Sequence, residues 1–322
     1  SEFADRYITE YSKIENKSWY KDEERIKLLK EEFGTMPLSN IEMKDIIQFK
    51  AKLLNREKAP GKKIRPATVN RYLMLLKGVF SRAIDWGIFH GVNPCRNMKA
   101  LNENNKKDRF LNAEEIKRLL GQCKKKELFD IVEFALSTGL RAGEIVGLKW
   151  SDIDFNVGLI YVRRSGRLSY SPKSGKNRVV PMNNYSQNVL MRQAELKIGD
   201  ADEYVFESRY WGGYKTAVDR AKLNPVGIPD NDKVVFHTLR HTFASHLVRR
   251  GVDLYRVAKL LGNTFQVVED RYAHLQPKHL QTEVRMMDNI WTSSTIDISG
   301  KVCDGHLMDT KWDTKKLLNY AS

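Results

Sequence analysis

The chain has 322 residues, 41% of them hydrophobic and 30% charged, with 55 Lys and Arg against 40 Asp and Glu and a formal net charge of +15. This apolar content, with six Trp, argues against global disorder, and the length suits two domains of ~100–200 residues each. Both charge signs are plentiful, so the excess is a basic bias on folded surfaces; it points to a polyanionic partner, nucleic acid above all, against the blander reading of solubility alone.

Taken in chain order, the opening Ser1-Glu2-Phe3 reads as a cloning remnant that stands in for residues further upstream. Residues 1–100 read as a helical domain. Its clearest segment is "TVNRYLMLLKGVFSRAIDWG", where Val69, Tyr72, Leu73, Leu76, Val79, Phe80, Ala83 and Ile84 follow the helical period. Arg71, Lys77 and Arg82 fall between those apolar positions, and Gly87 and Pro94 end the run. Just upstream, "NREKAPGKKIRPAT" reads as a basic connector, and Lys62, Lys63 and Arg65 join the three helix residues as candidate DNA-backbone contacts. Residues 101–108 have linker composition.

A second domain, 109–287, opens with a helix capped by Asn112 and Glu115, followed by a buried helix stopped at Gly139. From 158 to 181 the period changes to alternation around a Gly-containing turn at 174–177, which predicts about three antiparallel strands inside a helical domain. The fold class is therefore mainly α with a small antiparallel sheet. Helices are expected again from about 185 and from 238 to 274, with a cap at Thr264. The tail, 288–322, carries five Asp against four Lys, so the positive excess resides in the body of the chain. Cys95, Cys123 and Cys303 form no C-x-x-C pair, which favours a reducing compartment over a disulfide framework. No run of about 18 apolar residues and no signal pattern occurs, so no membrane partner is expected.

Three stretches carry chemistry. In "STGLRAGEIVGLKW", Arg141 starts a short helix where a phosphate oxygen is well received, and Glu144, three residues on, can hold it; the alternative is a surface ion pair. In "FHTLRHTFASHLVRRG", His237 and Arg240 share one helical face. His241, four residues after His237, raises a zinc pair, but no Glu lies between them and no third ligand follows, so no metal is expected and His241 and His246 read as packing or surface residues. In "LLGNTFQVVEDRYAHL", a helix ends at Gly262 and the next presents Tyr272, a poor nucleophile unless cations and a proton acceptor assist it; alone it reads as a half-buried core aromatic. Lys173 and Lys176 at the 171–178 turn are candidates for protonating a leaving oxygen or touching phosphates.

The stretches "TGLRAGEIVGLKWSDID", "PKSGKNRVVPM", "HTLRHTFASHLV", "LLGN" and "RYAHL", in this order, resemble the tyrosine recombinase (phage-integrase) family of site-specific DNA recombinases over 109–285, and residues 1–100 resemble its helical core-binding domain. The resemblance implies that Arg141, Lys173, His237 and Arg240 match catalytic positions and that Tyr272 matches the nucleophile. Asn263 stands where the family most often has His, nine residues before the tyrosine; an amide can donate a hydrogen bond to phosphate but cannot carry a proton charge. It further implies cutting and rejoining of double-stranded DNA through a 3′-phosphotyrosyl intermediate, with neither metal, ATP nor cofactor. A homotetramer on DNA follows, with Trp291, Leu317 and Leu318 of the tail as anchors on a neighbour, along with accessory DNA-bending proteins and a bacterial cytoplasm or nucleoid setting. Two rival readings are a type IB topoisomerase-like relaxing enzyme and a DNA-binding regulator weakened at Asn263.

Overall fold

The computed structural model describes residues 1–103, 108–163, 177–196, 203–206 and 211–276, with short pieces at 284–285, 295–296 and 302–303. Two compact units emerge, Ser1–Lys106 and Lys107–Ser322.

In the first unit, α1 (Glu2–Arg6) runs through a wider helical turn at Tyr7–Ser12 into α2 (Lys13–Glu15), followed by α3 (Trp19–Phe33), α4 (Met43–Asn55) and α5 (Pro66–Asp85). Pro66 occupies the first turn of α5, where a missing N–H leaves no bond unmade. The expected stripe of α5 is buried at Val69, Leu73, Leu76, Val79, Phe80 and Ala83, packed with Ile26, Leu29 and Phe49 from α3 and α4. Ile84, expected in that stripe, is 37% exposed at the helix end, while Leu75 is buried. The basic segment expected as a plain connector forms a hairpin, β1 (Glu57–Ala59) against β2 (Lys62–Lys63), turned at Gly61 with φ 71°.

The second unit begins with α6 (Ala113–Gly121), whose cap is reciprocal: Asn112 Oδ1 accepts from the Glu115 N–H at 2.9 Å and the Asn112 N–H donates to Glu115 Oε2 at 3.0 Å. Helix α7 (Lys126–Thr138) is buried on most sides and stops at Gly139, φ 65°; the five-residue α8 (Ala142–Val146) follows. The strands β3 (Ile153–Asp154), β4 (Leu159–Val162) and β5 (Arg178–Pro181) form one antiparallel sheet in chain order, with Ile160 opposite Val180 and Val162 opposite Arg178. Alternation along β4 sends Ile160 and Val162 into the core.

Helices α9 (Asn184–Leu196), α10 (Trp211–Arg220), α11 (Phe236–Arg249), α12 (Leu254–Leu261) and α13 (Phe265–Tyr272) complete the described helices of the unit. One core gathers Phe134, Leu190, Phe206 and Leu239, and a second, smaller one joins α11, α12 and α13 through Ala244, Val248, Val257, Leu261, Val268 and Tyr272. Thr264 precedes α13 in an extended conformation, but its side chain makes no capping hydrogen bond, contrary to the sequence expectation. In the tail, β6 (Thr295–Ile296) pairs with β7 (Val302–Cys303), while Trp291, Leu317 and Leu318 lie outside the described residues. Among the described residues no helix is long and apolar enough to cross a membrane.

Gly139 is the tightest backbone requirement near the site: a Cβ there would sit 2.4 Å from the Phe243 ring, at a φ of 65°. Gly158 has a similar φ of 68° with nothing within 4 Å. Gly139→Ala is therefore expected to cost about 2–4 kcal/mol and Gly158→Ala only about 1 kcal/mol, read as the shift in denaturation midpoint.

Candidate active site

The site grows from the C-terminal ends of two helices. Both α7 and α12 stop at left-handed glycines, Gly139 and Gly262, which leaves carbonyls without intrahelical partners. Arginines satisfy them. Arg240, 3% exposed on α11, donates through Nη1 to Gly139 O at 2.8 Å and through Nη2 to Leu261 O. Arg178, at the head of β5, donates through Nε to Leu260 O at 2.9 Å. Its stem also fills the space beside Gly262, where a Cβ would meet Arg178 Cδ at 2.8 Å.

Glu144 organises the cluster. Arg141 contacts it twice, from its backbone N–H and from Nη1, each at 2.8 Å. Arg178 grips both carboxylate oxygens, with Nη1 to Oε1 at 2.8 Å and Nη2 to Oε2 at 2.6 Å, the bidentate geometry suited to a planar guanidinium. Arg240 Nη1 lies 3.9 Å from Glu144 Oε2. Asn263, just after Gly262, presents Oδ1 to both outer arginines, accepting from Arg141 Nη2 at 2.6 Å and Arg240 Nη2 at 3.2 Å.

Three guanidinium groups thus face one carboxylate and one neutral amide oxygen. Burial opposes ionisation of Glu144, but the Arg178 hydrogen bonds and charge, reinforced by Arg141, outweigh it and hold the carboxyl down at about 2. Burial and then the like charge of Arg141 push Arg240 down to about 9, still cationic at neutral pH. The excess positive charge, partly shielded from water, is matched to an anion that spreads its charge over several oxygens.

Tyr272 ends α13 and is 5% exposed; burial pushes its phenol up to about 12, against the opposing pull of Arg271 and Arg240. Its hydroxyl lies 2.7 Å from His241 Nδ1, and Arg271 Nη1 lies 3.3 Å from His241 Nε2. His237, exposed at the start of α11, packs edge-on to His241 with ring centroids 4.9 Å apart.

The fold therefore joins Arg141, Glu144, Arg240 and Asn263 by direct contacts, and His237 reaches Tyr272 by way of His241. Lys173 and Lys176 lie outside the described residues. Of the proposed backbone contacts, Lys62, Lys63, Arg65 and Arg71 are exposed, and Lys77 Nζ lies 3.4 Å from Arg96 O. Arg82 is half-buried, 3.3 Å from Asp85 and stacked 4.0 Å over the Tyr11 ring, which gives it a packing role. Among the described residues no group of three or more His, Cys, Asp or Glu could hold a metal ion.

The Phage integrase family matches residues 109–279, and the phage integrase N-terminal domain matches residues 1–102. The chain belongs to this family of tyrosine recombinases. It is 30% identical to the integrase of Salmonella phage P22 over 323 residues, covering 89% of this chain and 79% of that protein. It is also 30% identical to the tyrosine recombinase XerA of Pyrococcus furiosus over 249 residues, covering 75% of this chain and 79% of the relative. By fold it is similar to the Tn1549 transposon integrase solved in complex with a circular intermediate DNA, with TM-score 0.69, 19% identity, and coverage of 89% of this chain and 98% of that one. A lambda integrase tetramer bound to a Holliday junction is similar with TM-score 0.65 and 22% identity, covering 82% and 76% of the two chains.

For this family member, sequence reasoning passed over Arg178, Arg271 and the contact made by His241. Arg178 left a signal: it stands two residues before the buried Val180 on the same face of β5, so an inward guanidinium needed a carboxylate partner. His241 is buried, as a packing residue would be, but it packs on the Tyr272 hydroxyl. His246 bonds Leu111 O at 2.9 Å.

Removing the central carboxylate leaves the arginine charges without their partner. Glu144→Ala is expected to destabilise the second unit by about 3 kcal/mol, measured by denaturant unfolding. Because the carboxyl of Glu144 is depressed in the folded state, its contribution is complete above the ordinary carboxylate range and fades as pH falls toward about 2. The difference between wild type and variant should shrink over that window.

Proposed function

We propose that this chain is a site-specific DNA recombinase that cuts and rejoins duplex DNA through a covalent link to Tyr272. The observation that carries this reading is the trio Arg141, Arg178 and Arg240 around the single carboxylate of Glu144, with Arg240 on α11, the helix whose Ala244 and Val248 share a core with Tyr272. A scissile phosphate brings the negative charge that this cluster lacks, and its charge grows toward the pentacovalent transition state, where fixed cations stabilise it most.

In this reading the Tyr272 oxygen attacks phosphorus, the bond to the 5′ oxygen breaks, and a 3′-phosphotyrosyl link and a free 5′-hydroxyl result. Arg141 and Arg240 hold the non-bridging oxygens, and a phosphate oxygen takes the place now filled by Asn263 Oδ1, freeing the amide to rotate and donate through Nδ2. His237 handles the phenol proton, and Lys173 protonates the leaving oxygen. The covalent link conserves the phosphodiester bond energy, so rejoining to the hydroxyl of a second strand needs no ATP.

Duplex DNA is the partner. The N-terminal unit contributes phosphate contacts from Lys62, Lys63, Arg65 and Arg71, so affinity falls steeply with salt. The P22 relative is an integrase, and a lambda integrase is known as a tetramer on a Holliday junction; a homotetramer on DNA in the bacterial cytoplasm is the corresponding assembly for this chain.

The test is covalent trapping on a library of nicked duplexes carrying candidate attachment sites. Wild type should yield a protein–DNA adduct stable to denaturation, and Tyr272→Phe should abolish it, a loss of at least about a thousandfold, while leaving gel-shift affinity within about twofold. Adducts with recombinant products support a recombinase. Supercoil relaxation without recombinants marks a topoisomerase, and binding without any adduct marks a regulator.

A further inference from the structure

Tyr272 is buried at the end of α13, and the partner of its hydroxyl is a ring nitrogen, His241 Nδ1 at 2.7 Å. The other nitrogen of that ring, Nε2, lies 3.3 Å from Arg271 Nη1. A guanidinium carries donors only, so Nε2 accepts. The proton of the neutral imidazole is therefore on Nδ1, and it points at the phenol oxygen. The Tyr272 oxygen is an acceptor in this contact, which leaves its own hydrogen directed elsewhere.

A hydrogen bond donated to an oxygen strengthens as that oxygen gains negative charge. We propose that His241 is a positioning residue for strand cleavage: with its tautomer set by Arg271, it holds the Tyr272 oxygen and favours the anionic form that attacks phosphorus. This rests on the reading of Tyr272 as nucleophile. His241 transfers no proton. The phenol proton leaves toward His237 or solvent, the O–P bond forms, and the P–O bond to the 5′ oxygen breaks while the Nδ1–H stays on the ring.

Among the described residues, charged and titratable groups facing the pair include Arg271 on α13 and His237 and Arg240 on α11; α12 adds apolar Val257 and Leu261, and His274 in the following turn is exposed. A second proton on His241 Nε2 would be forced against the Arg271 donor, so the contact with Arg271 requires that nitrogen to be unprotonated.

The experiment has two arms. In the first, nitrogen-15 NMR of the histidines in the free full-length chain reads the tautomer of His241, assigned by its loss in His241→Asn; a proton on Nδ1 is expected, and a proton on Nε2 alone overturns the proposal. In the second, single-turnover cleavage of the nicked duplex recovered from the attachment-site library is followed against pH. His241→Leu should slow cleavage about tenfold to a hundredfold and move the alkaline rise of the rate to higher pH. His241→Asn, whose Nδ2 takes the place of Nδ1 as donor, should restore most of the rate and the original profile.

A His241→Leu protein that cleaves at the wild-type rate with an unmoved profile, or a folded His241→Asn no better than His241→Leu, overturns the proposal. If His241→Leu does not fold, the tautomer and His241→Asn still decide. Absence of any adduct from wild type defeats the recombinase reading instead, and is told apart because the NMR arm needs no DNA.

Discussion

The carboxylate of Glu144 is the interaction on which the rest of the second unit's chemistry depends. It is nearly buried and touches guanidinium groups that arrive from β5, from the start of α8 and from α11. Burying a charge without a partner is costly, and so is gathering three like charges. One carboxylate lets the arginines converge yet leaves them in excess, and an excess already in place needs no reorganisation when a phosphate arrives.

The backbone does as much as the side chains. Helices α7 and α12 end at glycines that adopt a left-handed conformation, and the carbonyls exposed there are the negative ends of the helix dipoles. Arg240 bridges the two ends and Arg178 reaches the second. These arginines thereby also cap helices other than the elements that carry them, so positioning and stability are hard to separate by removing a side chain.

The surroundings of Tyr272 follow the opposite rule. The phenol of Tyr272 is packed among Val268, Leu261 and Val257, and that burial works against its ionisation. The opposing influences on the phenol are directed contacts and the nearby cations Arg271 and Arg240. His241, packed between His237 and Tyr272 and in contact with Arg271, supplies the directed contact in this fold.

Much of this was legible in the residues alone. The period of α5, the reciprocal cap of α6, the alternation of β4 and the glycines that end α7 and α12 are local signals, set by side-chain periodicity and backbone freedom within a few residues. The three-residue spacing of Arg141 and Glu144 placed one ion pair correctly for the same reason. What local spacing could not carry was which distant groups meet: Arg178 with Glu144, Asn263 with two arginines, His241 with the Tyr272 hydroxyl, and Arg82 folded over Tyr11. Those partners lie between 23 and 122 residues apart in the chain. Their meeting is decided by how the helices pack. The sequence by itself determined the chemistry available and the elements that carry it; the tertiary structure alone decided the partners, because a hydrogen bond's donor and acceptor are chosen by packing that brings remote segments within 3 Å.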